Sequence, residues 1–85
     1  MNTVSHATEP RWAAPVAIRI GARPSEHIHG PAEAVDYLEH RWPIENSMHL
    51  EAAKRRCVEA MNYLVHLEAS RDAFVAAAVE AKVLA

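Results

Sequence analysis

Two glycines and one cysteine are all that the 85-residue sequence holds of the residues that cradle phosphates or staple small folds. No GxGxxG, P-loop, GxSxG or HExxH pattern occurs. A single cysteine, Cys57, cannot close an internal disulfide, which excludes the stapled secreted miniproteins and fits a reducing compartment. No stretch approaches the roughly 20 apolar residues of a membrane span, and the polar start has no apolar leader segment. The expected location is therefore the cytoplasm, with no membrane partner. An excess of one charge is also missing. Nine Lys and Arg stand against eleven Asp and Glu, so no overall positive field draws the chain to nucleic acid.

Much of the apolar content is alanine, and large side chains are few: Trp12, Trp42, Tyr37, Tyr63 and Phe74 with scattered Ile, Leu, Val and Met. A chain of this length fits one domain. Residues 1–11 show no apolar periodicity and are expected to form a disordered tail, leaving 12–85 as a single domain. From Pro15 to Gly21, Val16, Ile18 and Ile20 alternate with Ala17 and Arg19, the period of a half-buried strand. Turn chemistry at Arg23-Pro24-Ser25 and renewed alternation around Ile28 complete a β-hairpin. Gly30-Pro31 starts a helix over 31–42 that Pro43 stops. Asn46 and Ser47 are N-cap residues for a second helix that turns Ala53, Cys57, Ala60 and Leu64 inward. A break within 62–66 and a third helix over 67–83 follow. The fold class is thus α+β, a short N-terminal β-hairpin packed against two or three α-helices.

Several of these residues also carry a resemblance. Trp12-x-x-Pro15-Val16, Glu33-Ala34-x-x-x-Leu38-x-x-x-Trp42-Pro43, His49-x-x-Ala52-x-x-x-x-Cys57-x-x-Ala60 and Arg71-x-x-Phe74-x-x-Ala77-Ala78-x-Glu80-Ala81 follow in order. Together they resemble domain-of-unknown-function family 982, short proteins of rhizobia-type bacteria, over 12–81. The chain departs from that pattern at Tyr63, where glycine is usual after the second helix. The resemblance implies the same fold and brings no activity and no catalytic residue with it.

Six histidines raise the question of metal. His27 and His29 share one strand face, but a tight zinc site needs three or four ligands and no third is near in sequence, so no metal and no cofactor is expected. His49 and Cys57 lie on one side of a helix about 12 Å apart, too far to act as a couple. Cys57 reads instead as a small core residue. Lys54-Arg55-Arg56 is flanked by Glu51 and Glu59 at helical spacing and reads as a solvated, ion-paired face. Arg71 could hold an anion, or pair with a carboxylate of the hairpin or first helix. No assembled catalytic group emerges. What stands out is apolar surface beyond the core stripes: Val75, Val79 and Val83 on the last helix, Val58 and Val65 beside the second. The leading expectation is a non-enzymatic protein-interaction module, a homodimer or the ligand of an unknown partner protein, that uses these valines. The alternative is a small-ligand-binding or regulatory domain with a pocket between hairpin and helices, ringed by Trp42, His49 and Arg71.

Overall fold

The computed structural model describes residues 9–85, so most of the tail expected over 1–11 lies outside the described residues. The hairpin forms as its alternation predicts. Strand β1 (Val16–Ile18) pairs antiparallel with β2 (Glu26–Ile28), Val16 opposite Ile28 and Ile18 opposite Glu26. Val16, Ile18 and Ile28 are buried, and the residues between them face outward. In the connection the Arg23 amide donates to the Ile20 carbonyl at 3.4 Å, closing a turn that Gly21 opens with φ of 64°, a backbone region that suits glycine.

Three helices follow: α1 (Pro31–His40), α2 (Met48–Met61) and α3 (Leu67–Ala81). Pro31 sits in the first turn of α1, where its missing N–H costs nothing. Glu33 reaches back to accept the His29 amide at 2.8 Å, satisfying a donor just before the helix. Gly30, the N-cap, is needed for space: a Cβ there would stand 2.5 Å from the Pro10 carbonyl oxygen. The helix ends at His40 rather than reaching Trp42, because Pro43 forces the chain out before the last expected turn. Ser47 caps α2 as its residue type predicts, accepting the Leu50 amide at 2.9 Å. Its hydroxyl also donates to the carboxylate of Glu80, which ties the start of α2 to the end of α3.

The break between α2 and α3 is present within the expected 62–66. Tyr63 amide donates to the Ala60 carbonyl and Leu64 amide to the Glu59 carbonyl, the paired bonds of a Schellman cap, with Tyr63 at φ of 59°. The left-handed residue is thus Tyr63 and not Asn62, whose φ is −99°. Leu64, expected inward, is carried out by this reversal and is 73% exposed. A tyrosine in the left-handed region is strained, and this one is itself exposed. Tyr63→Gly is therefore expected to raise stability by about 0.5–1 kcal/mol despite glycine's entropy in the unfolded chain. A chemical denaturation midpoint unchanged or lowered relative to the parent would contradict this.

The core gathers around Phe74, which is wholly buried on α3. Trp12 and Trp42 flank it with ring centroids at 5.6 and 5.5 Å. Both tilted pairs fall within the 4.5–7 Å typical of aromatic contacts. The Trp12 indole donates to the Ser70 hydroxyl at 3.0 Å, and that hydroxyl donates to the Leu67 carbonyl at 2.6 Å. The Trp12 amide donates to the His29 carbonyl at 2.8 Å, so one residue joins hairpin, core and α3.

The last residues overturn one expectation. The third helix stops at Ala81 instead of continuing to Val83, because Lys82 adopts φ of 60° and reverses the chain. Lys82 and Val83 amides donate to the carbonyls of Val79 and Ala78, a second Schellman cap, and Val83 turns into the core at 4% exposure. Beyond it Leu84 bridges antiparallel to Ile18, Arg19 donates to the Val83 carbonyl at 2.7 Å and Ala85 to the Ala17 carbonyl at 2.9 Å. The carboxyl-terminal segment thus lies along the free side of β1, opposite β2.

Candidate functional site

The described surface offers two places where function could reside, the outer faces of α2 and α3 and a cleft between the hairpin and α1. The valines are not a single ridge. Val79 is 57% exposed and Val58 43% exposed, while Val75 and Val65 are half-buried. Val83 leaves the proposed surface altogether and belongs to the core, since the left-handed Lys82 takes it off the helical phase. Between Asp72 and Glu80 the positions of α3 that are not fully buried are Ala73, Val75, Ala76 and Val79, a stretch without charge in which Ala73 and Val75 pack partly against the core. Met48 at the head of α2 and Tyr63 and Leu64 in the turn add exposed apolar side chains at either end of the helix pair.

Trp42, His49 and Arg71, expected to ring a pocket, are not brought together. Arg71 donates from Nε to the Ala14 carbonyl at 2.9 Å and from Nη2 to the Pro15 carbonyl at 3.3 Å. Its partners are therefore backbone carbonyls and not a hairpin or α1 carboxylate, and it fastens α3 to the chain entering β1. His49 is exposed on the first turn of α2. Trp42 borders a cavity of about 350 Å³ between the end of α1 and the start of α2, which neither of the other two lines. Its indole Nε1 is buried without a hydrogen-bond partner among the described residues.

The histidines and the cysteine stay apart too. His29 Nδ1 lies 3.3 Å from Glu33 Oε1, and no group of three His, Cys, Asp or Glu among the described residues could hold a metal ion. Cys57 is fully buried, and loss of hydration pushes its thiol from the ordinary 9.0 up to about 12. At neutral pH it is a protonated core residue, not a nucleophile. Two residues of the basic run on α2 are ion-paired, Lys54 to Glu51 at 3.6 Å and Arg56 to Glu59 at 3.2 Å, while Arg55 has no such pair among the described residues.

A cleft lies between β1, the hairpin turn and α1, and none of Trp42, His49 and Arg71 lines it. Its volume is about 160 Å³. Ile18, Ile20 and Tyr37 form an apolar floor with exposed Pro24 at its rim, and Arg23, Glu26 and Arg41 complete the lining. The Arg41 guanidinium rests 4.2 Å over the Tyr37 ring and meets Glu26 at 3.5 Å, so it is held on two sides. Tyr37 was legible as a large side chain beside the Ala34–Leu38 face. Nothing in spacing links it to Glu26 or Arg23.

This hairpin and three-helix arrangement carries the family with it. Residues 14–85 match the family described as protein of unknown function, DUF982. The chain belongs to the DUF982 family. Among solved structures, this DUF982 chain is similar to the NMR structure of Agrobacterium tumefaciens protein Atu1219. The two are 35% identical with a TM-score of 0.75, over 88% of this chain and 75% of that chain. No curated protein matches it. No helix among the described residues is long and apolar enough to cross a membrane.

Proposed function

We propose that this DUF982 chain is a non-enzymatic, cytoplasmic protein-interaction module that self-associates through the outer faces of α2 and α3. The observation that supports this reading is the exposed apolar surface on these helices, Val79 at 57% and Val58 at 43%, in a stretch of α3 without charge between Asp72 and Glu80. Apolar burial is worth about 25 cal/mol per Å², so a symmetric contact hiding a few hundred Å² per chain offsets the cost of association by a small margin. Affinity in the micromolar range follows. Sedimentation of parent and Val79→Glu across a concentration series tests it. The parent is expected to shift from monomer to dimer, and the variant to stay monomeric with its fold and melting behaviour unchanged, because Val79 is outside the core. A parent that remains monomeric at high micromolar concentration would remove self-association and leave these valines to a different protein.

A further inference from the structure

We propose that the cleft between the hairpin and α1 binds a small monocarboxylate with an apolar body. This goes beyond the self-association reading and does not depend on it. The first reason is the division of labour in the lining. Ile18, Ile20 and Tyr37 give a floor that can shed water onto a hydrocarbon, while Arg23, Glu26 and Arg41 complete the lining. The second is charge. Arg41 and Glu26 pair at 3.5 Å and largely cancel, and Arg41 also covers the face of Tyr37, leaving no aromatic face for a cationic ligand. Arg23 has no side-chain partner among the described residues. Its backbone is held in place by the turn bond to Ile20, beside the apolar floor.

The lining therefore carries one uncompensated positive charge, on a guanidinium whose paired N–H groups suit the two oxygens of a carboxylate. A dianionic phosphate would meet the Glu26 carboxylate and leave the apolar floor unused. Size narrows the class further. At about 160 Å³ the cleft is well below the roughly 300–1,000 Å³ of drug-sized ligand sites, which excludes nucleotides and admits an aromatic or branched short-chain acid, and its apolar lining offers a sugar's hydroxyls few partners.

Benzoate is a suitable probe, with benzamide as its uncharged isostere. In an amide NMR titration of the full chain with benzoate, saturable shifts are expected at Ile18, Ile20 to Arg23, Ser25, Glu26, Tyr37 and Arg41. The dissociation constant should lie in the millimolar range ordinary for so small a ligand. Benzamide, and benzoate added to Arg23→Ala, should each bind about tenfold more weakly, while the variant's spectrum remains that of a folded chain. Shifts that never saturate, shifts centred on α2 and α3, or equal affinities for benzoate and benzamide would overturn the proposal. So would an Arg23→Ala chain that binds benzoate as well as the parent does.

Discussion

Phe74→Ala is expected to cost about 3–5 kcal/mol, a large part of the stability of a small domain. The side chain is wholly buried, and both indoles of the protein pack against it, so truncation opens a cavity that alanine-rich neighbours cannot fill. Ala77 and Ala78 beside it, and Ala53 on α2, have no side-chain length with which to collapse into the space. Aromatic contact energy is lost with the area, since each tilted pair contributes about 0.5–1.5 kcal/mol beyond burial. Urea denaturation followed by helical circular dichroism reads the result. A loss below about 1 kcal/mol would mean that the three rings are not a shared core.

The second large effect separates two valines that a helical count places on one stripe. Val83→Glu is expected to destabilise by about 3 kcal/mol or more, because a carboxylate at a 4% exposed position among core side chains loses its hydration. Val79→Glu, four residues earlier and mostly in water, should change stability by only about 0.5 kcal/mol. Thermal unfolding of the two variants side by side decides between a docked carboxyl-terminal segment and a continuous helix. Equal melting temperatures would mean that Val83 faces solvent.

That contrast marks where the sequence stops being legible. The hairpin, the Pro31 start and the Ser47 cap were readable because each is encoded within a few neighbouring residues, by alternation, by a fixed φ or by a side chain aimed at its own backbone. Ser70 carries a weaker signal: a hydroxyl one turn before Phe74 on the buried face of α3 requires partners, found in Trp12 and Leu67. The reversal at Lys82 has no such local sign. Lysine is an ordinary helix former, and it takes a left-handed conformation because Val83 and the β1 edge reward the turn. The same holds for Tyr63, where only the departure from the family's glycine pointed to the position. The lining of the cleft, as distinct from a pocket between hairpin and helices, was invisible for a different reason. Its residues come from β1, the turn, β2 and α1, and their meeting depends on how α1 lies across the hairpin.

The segment after α3 that lies along β1 also sets an order of events in the making of the protein. A nascent chain leaves the ribosome with β1 and β2 first, yet β1 finds its second edge partner only when Val83 to Ala85 have been synthesised. The Trp12–Ser70 bond, 58 residues apart in sequence, is likewise closed late. Without that segment the outer edge of β1 is bare and the apolar face lacks its cover, and an isolated two-stranded hairpin is marginal in water. Such long-range closure slows folding relative to a purely helical chain of the same size. Both the second edge partner of β1 and the cover over Trp12 are thus supplied by the last third of the described chain.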